Sequence, residues 1–277
     1  MPSHQHQTID QFTRQAACFA ESPAIQDEAA LQRMIRFAGI NGNDDVLDVA
    51  CGPGILTCAC ASVARHATGI DITPAMIDRA RDLRRRQGLE NVTWHVGDVR
   101  SLPFADESFS VVLSRYAFHH LTNPLEVLVE MTRVCRPAGR VVVIDVAAPA
   151  DLSQALALNQ MERLRDPSHV RARSAIELTK LFARAGLAEP EITSHRIEFP
   201  LEAVLDSSFP TNGETDKAAI RRMFEQSLTD DAMGLQPQMN DGQIRYSYPI
   251  AVLKSTREIQ RKAQITGWTE GEPQQSQ

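Results

Sequence analysis

The sequence has no apolar run near the ~20 residues that span a bilayer, and Met1 to Asp10 is polar where a secretory signal would be hydrophobic. No membrane partner is therefore expected, and a cytoplasmic location is. Cysteine is scarce: Cys18, Cys51, Cys58, Cys60 and Cys135 are odd in number and form no Cys-x-x-Cys pair. That argues against both a disulfide framework and a zinc-type metal site, and Cys58 and Cys60 read as small packing residues on a helix. A basic excess is missing too. A net charge of −6 and a pI near 5.8 leave no general field for a phosphate backbone, so nucleic acid is not an expected partner. Arg79, Arg81, Arg84, Arg85 and Arg86 cluster, but on one predicted helix whose basic end complements the helix dipole, so they read as a solvated face. No internal repeat is present.

What remains is an ordinary globular composition, 43% hydrophobic and 23% charged over 277 residues, which fits one large α/β domain. Its expected parts are a helical N-terminal segment (1–43), a strand-helix core (44–148), a region of insertions and last strands (149–257), and a disordered polar tail (258–277). Within the first part a polar lead precedes a helix over Ile9–Ala20, where Phe12, Ala16, Phe19 and Ala20 recur at helical spacing. In the core, short β-branched runs predict strands at Asp45–Ala50, Ala67–Asp71, Val92–Val96, Ser110–Ser114 and Arg140–Val146. Helices are expected between them at Ile55–Ala64, Pro74–Gln87 and Pro124–Val134, with proline in the first turn of the last two. The alternation implies a parallel sheet. Later, Ser174-Ala175-Ile176-Glu177 is a capping-box pattern before a helix ending at Gly186, and strands follow near Glu191–Ile197 and, after the turn Asn240-Asp241-Gly242, at Ile244–Leu253.

The most informative motif is Val46-Leu47-Asp48-Val49-Ala50-Cys51-Gly52-Pro53-Gly54, a buried strand running into a glycine turn and a helix. Leu56-Thr57 stands where a dinucleotide fingerprint has its third glycine, and Asp48 would repel a pyrophosphate. An acid beside this loop suits a cationic ligand without phosphate, such as the methionine moiety of S-adenosylmethionine. Asp71 ends the next strand, where its carboxylate can accept from both ribose hydroxyls. The competing role for Asp71 is a helix N-cap, although Thr73 before Pro74 is expected to supply that cap. Asp98 ends the third strand, so three successive strands end in acids.

Asp48 to Gly54, Gly69-Ile70-Asp71, Gly97-Asp98-Val99-Arg100-Ser101-Leu102-Pro103-Phe104 and Arg115-Tyr116-Ala117-Phe118-His119-His120 together resemble a class I methyltransferase of the ubiquinone/menaquinone-biosynthesis-like group. The likeness is detailed over about Val46 to Val146. It implies an α/β Rossmann-like fold: a seven-stranded, mostly parallel sheet with an antiparallel last strand and helices on both faces. It also implies S-adenosyl-L-methionine as cofactor, a small-molecule acceptor, and transfer by in-line displacement. Matched by position, Gly52 and Gly54 would lie against the methionine moiety, Asp98 would accept from the adenine amino group, and the Val99 amide would donate to the ring. Ile72 and Met76 would pack on adenine, and the main chain around Arg115 would help hold the ammonium. The helix carrying Phe12, Gln15 and Phe19 resembles the lid of related enzymes; ordinary core packing is the other reading. Arg163 to Arg171 resembles a segment of some bacterial members and sets the chain apart from quinone methyltransferases.

A sulfonium methyl is already a strong electrophile, so positioning comes first and a base is needed only for some acceptors. His119, His120 and His169 are the candidate bases. Against that, His119 and His120 can instead anchor and pack a loop. Arg165, Arg171 and Arg173 either bind an acceptor carboxylate or, more plainly, pair with Asp166 and Glu162 on an exposed surface. Two other functions share the layout: a non-catalytic cofactor-binding protein and a nicotinamide-dependent oxidoreductase. The acceptor, the atom methylated and the oligomeric state carry no signature.

Overall fold

A computed structural model describes residues 3–23 and 25–258. Its strands are β1 (Asp45–Val49), β2 (His66–Asp71), β3 (Val92–Val96), β4 (Phe109–Arg115), β5 (Cys135–Val146), β6 (Glu191–Pro200), β7 (Gln238–Asn240) and β8 (Gln243–Thr256). They form one sheet in the order β3-β2-β1-β4-β5-β8-β6, with the short β7 paired to β8. β8 runs antiparallel to both β5 and β6, and the other strands on this path are parallel to one another. The expected seven-stranded frame is thus present, and β7 is an addition to it. Asp241 (φ 48°) and Gly242 (φ 75°) make the β7–β8 turn, two successive left-handed residues as a tight hairpin demands.

The helices are α1 (His4–Glu21), α2 (Glu28–Ala38), α3 (Ile55–Ala61), α4 (Pro74–Gln87), α5 (Pro124–Val134), α6 (Leu152–Arg165), α7 (Ala175–Arg184), α8 (Leu201–Asp206) and α9 (Glu214–Asp230), with a single 3-10 turn at Phe118–His120. Alternation along the central strands sends side chains into two separate cores. Val46, Val111, Leu113, Val142 and Ile144 pack with α2, α3, α6, α8 and α9, while Leu47, Val49, Val112, Val141 and Val143 pack with α5 and α7. A strand covered on both faces has no solvent side, which is why β1, past Asp45 at its start, reads as apolar apart from Asp48. The order of successive strands reverses between β1 and β4, which run parallel, and in open sheets of this kind the crevice beyond the strand ends at that point is where ligands bind.

Several boundaries differ from expectation. α1 begins at His4 rather than Ile9: Ser3 caps it by accepting from the His6 amide (3.4 Å), and the polar lead is its first turn. α3 stops at Ala61 because the amides of Val63 and Ala64 both fold back onto the Cys60 carbonyl. β5 starts at Cys135, with a register break opposite Phe109 and Val111 before the regular ladder begins at Arg140. The Ser174–Glu177 capping box is present, with both reciprocal bonds made. Apart from Glu258, the expected disordered tail lies outside the described residues. Arg79, Arg81, Arg85 and Arg86 of α4 are exposed, Arg81 pairing with Asp78 and Arg85 with Asp82, while Arg84 is half-buried and donates to the Leu89 carbonyl (2.9 Å).

Candidate functional site

The carboxyl ends of β1, β2 and β4 open onto a cavity of about 270 Å³. Asp48, Gly52, Asp71, Ile72, Met76, Asp98, Val99 and Arg115 all line it. Gly54 does not. At φ +78° it caps α3, and a Cβ there would sit 2.4 Å from the Trp94 ring and 2.8 Å from the Ala80 Cβ, so its glycine serves helix packing. Gly52 (φ +54°) faces open space instead. Just past β1 and β4, Ala50 (φ 57°) and Tyr116 (φ 58°) hold left-handed conformations that side chains disfavour; both border the cavity, where such strain commonly concentrates.

Asp71 is the clamp of this site. Its Oδ2 accepts from the Gly52 amide (2.9 Å) and its Oδ1 from the Thr73 amide (2.8 Å), tying the glycine turn to the start of α4. The expected Thr73 cap is not made: Thr73 Oγ1 is buried without a partner, no side chain caps α4, and the Asp71 carboxylate holds the Thr73 amide just before the helix. One lone pair per oxygen remains for a ligand. Asp48 is 1% exposed, accepts from Thr57 Oγ1 (2.6 Å) through Oδ2, and leaves Oδ1 buried with no partner. Burial pushes its pKa up to about 7, against the Thr57 hydrogen bond and the Arg115 charge, which pull it down. Asp98, by contrast, is held below the usual carboxylate range by Arg100, and also accepts from Gln5 of α1 (3.3 Å). The buried Arg115 guanidinium donates to the Ile25 carbonyl (3.3 Å) and lies 5.0 Å from the Tyr116 ring centre.

A second cavity of about 920 Å³ lies beside the first and shares Phe12, Phe19, Tyr116 and His120 with it. All three sequence-predicted histidines line its inner end or the wall between the two. Ring centres are 4.2 Å apart for His119 and His120 and 5.6 Å for His119 and His169. His119 Nδ1 bonds Asp145 Oδ1 (2.5 Å), and the same carboxylate accepts the amides of His119 and Val146 (both 2.8 Å). His120 Nδ1 meets the Ser168 carbonyl (3.1 Å), so that nitrogen carries the proton, and the ring edge packs on Phe12. His169 Nε2 donates to Asn159 Oδ1 (2.9 Å), and its Nδ1 is buried and unpartnered. Burial, with the neighbouring histidines, lowers His120 to about 4 and His169 to about 2. For His119 burial also opposes charge, but Asp145 outweighs it and the pKa rises.

Arg165 takes the expected partner Glu162 but not on the surface, and Arg171 pairs on the surface with a different acid, Glu177. Arg165 pairs with Glu162 (2.7 Å) in the interior, with side chains only 19% and 4% exposed, and Glu162 in turn accepts from the Tyr248 hydroxyl. Arg171 pairs with Glu177, and Arg173 donates to the Phe118 carbonyl (3.1 Å). The anchoring reading of the histidines is seen in their hydrogen bonds, and all three rings also line a cavity. Asp145, Asn159 and Tyr248 were not singled out from the sequence. For Asp145 a signal existed, an acid inside the apolar run Val141–Val146; Asn159 and Tyr248 carry none. On α1, Phe12 and Phe19 pack edge to face (6.5 Å), belong to neither core and line both cavities.

A strand order of this kind, with an acid-lined crevice at the switch point, defines a Rossmann-like methyltransferase fold. The chain belongs to the family described as a methyltransferase domain, which matches residues 40–224. It is 33% identical over 181 residues to the "uncharacterized methyltransferase YcgJ" of Bacillus subtilis, covering 65% of this chain and 72% of that one. The crystal structure of YcgJ superposes with a TM-score of 0.75 at 27% identity, over 83% of this chain and 99% of that one. A demethylmenaquinone methyltransferase of Tropheryma whipplei is 34% identical over 127 residues, which is 45% of this chain and 51% of its own length. Phosphoethanolamine N-methyltransferase 2 of Haemonchus contortus, solved in complex with S-adenosyl-L-methionine, shares the fold (TM-score 0.58, 15% identity, 84% of this chain and 52% of that one).

Proposed function

We propose that the protein transfers a methyl group from S-adenosylmethionine, held in the first cavity, to a small-molecule acceptor held in the second. The observation that carries this reading is the unpartnered Oδ1 of Asp48. A buried carboxylate oxygen without a donor is costly alone and is satisfied by a cationic ligand. Three carboxylates line the cavity, with Arg100 already paired to Asp98 and Arg115 turned onto Tyr116, so the donor set fits an ammonium and sulfonium and disfavours phosphate. When bound, the cofactor supplies an electrophilic methyl group.

The chain's own residues position that group and exclude water. Asp48 and the Gly52 turn take the amino-acid end, Asp71 the ribose hydroxyls, and Asp98 with the Val99 amide the adenine edge. Ile72 and Met76 cover the adenine faces, and the rings of Phe12 and Phe19 shield the junction of the cavities. Calorimetric titration with S-adenosylmethionine and its demethylated product, with a reduced nicotinamide as control, tests the proposal. Micromolar binding of both sulfur nucleosides is expected; no binding to the folded protein overturns it.

A further inference from the structure

Three imidazoles, those of His119, His120 and His169, meet in the lining of the second cavity, and the hydrogen bond each one makes fixes which ring nitrogen is left without a partner. Asp145 accepts from His119 Nδ1, so the lone pair of His119 is on Nε2, which has no hydrogen bond and is not among the buried unpartnered atoms. His119 lines only the second cavity, yet its ring is 4.2 Å from that of His120, which forms part of the wall shared with the first. A proton acceptor therefore stands beside the place where the two cavities join. An amine nucleophile already carries its lone pair, whereas a hydroxyl must give up a proton to become strongly nucleophilic. Phe12 and Phe19 in the shared wall, with Phe199 and Val204 of the second cavity alone, suit a flat apolar body.

We infer that the second cavity takes an aromatic alcohol and that His119, oriented by Asp145, receives the hydroxyl proton on Nε2. The inference rests on the methyl-transfer reading for the purpose of the step but not for the binding itself. In the step the O–H bond breaks and an Nε2–H bond forms. The electron pair stays on oxygen as phenolate, and the new imidazolium lies against the Asp145 carboxylate. An aromatic hydroxyl is acidic enough for an imidazole to deprotonate it, which an aliphatic one is not. The charged and titratable groups facing His119 are Asp145 from β5, Glu162 and Arg165 from α6, and His120 and His169. Two of these are carboxylates beside one guanidinium, and both neighbouring histidines are depressed, so they do not compete for the proton. His119 is the candidate catalytic residue; Asp145 is a positioning residue that holds its tautomer.

The test uses the full chain without cofactor and reads absorbance. 4-Nitrophenol is titrated into the protein at a pH below its free ionisation midpoint, with 4-nitroanisole, which has no proton to give, as control. Bound nitrophenol is expected to show the phenolate band, its ionisation shifted by about tenfold or more, equivalent to one pKa unit. His119→Gln and Asp145→Asn are expected to keep nitroanisole binding and lose the phenolate band, since an asparagine amide donated to Nδ1 would select the other tautomer. Nitrophenol bound in its neutral form, failure of both probes to bind the folded wild-type protein, or an undiminished band in His119→Gln overturns the inference. The wild-type comparison stands even if a variant does not fold. A phenolate band that persists while the demethylated cofactor fails to bind upholds the inference and counts against the methyl-transfer reading instead.

Discussion

The two cavities share a wall but are built in different ways. The first is made of strand ends and main chain: Asp48, Asp71 and Asp98 each sit at or just past the end of consecutive strands, and the Gly52 amide is fixed by Asp71. The second is made of side chains from elements far apart in sequence, with Val146 on β5, Glu162 on α6, His169 in the loop after it, and Tyr248 on β8. A site of the first kind changes little when the loops change. A site of the second kind can be rebuilt by substitution without disturbing the sheet.

The largest expected effect that separates the cavities is at Asp71. Asp71→Ala removes the ribose acceptor and releases the Gly52 and Thr73 amides, and should weaken binding of the demethylated cofactor by roughly 2–4 kcal/mol, or about 30- to 1000-fold, in calorimetry. An unchanged affinity would refute the ribose assignment. Nitroanisole binding in the second cavity should stay within about twofold, since Asp71 lines only the first.

Asp48 gives the next effect and a pH signature. Its carboxyl is protonated in the folded chain until about pH 7, whereas the unfolded chain loses that proton near 3.8. The resulting stability is full below the unfolded value and is lost as pH rises through about 7. Asp48→Asn should therefore raise the stability of the ligand-free protein well above pH 7 by up to about 4 kcal/mol, read from urea unfolding, while weakening cofactor binding. For the wild type, affinity for the cationic cofactor should rise with pH through about 7, and calorimetry in buffers of different ionisation heat should show proton release.

Phe12 blurs the comparison on purpose, because it borders both cavities. Phe12→Ala should weaken both the demethylated cofactor and nitroanisole by about 1–2 kcal/mol each, measured by the same titrations. Loss at one cavity alone would show that α1 does not roof them jointly. The smallest effect belongs to α4: Arg85→Ala breaks an exposed pair with Asp82 (side chains 73% and 43% exposed) and should leave both affinities and the melting temperature unmoved.

The same contrast decides what could be read from the sequence. Strands buried on both faces announce themselves as apolar runs, and the acids that interrupt or end them stand out, so β1 to β5 and the lining of the first cavity were legible within a few residues. Gly54 was legible as a glycine but not as a packing glycine, because the ring that excludes its Cβ comes from Trp94 on β3, forty residues on. The first turn of α1 was missed because polarity hid it; His4 bonds the His120 carbonyl (2.9 Å), a contact across 116 positions. The Glu162–Arg165 pair looked like surface chemistry because sequence spacing shows a helical i, i+3 pair but not what covers it; Tyr248, more than eighty residues later, supplies that cover.

α1 is laid lengthwise across both cavities. Ser3, His4, Gln5 and Thr8 border only the first, Phe12 and Phe19 border both, and Gln15, Cys18 and Glu21 border only the second. Position along one helix thus corresponds to which cavity is lined. Under the proposed reading, substitution in the later turns of α1 would alter the acceptor side while the opening turns keep facing the cofactor side, so the two would change separately on a single secondary-structure element.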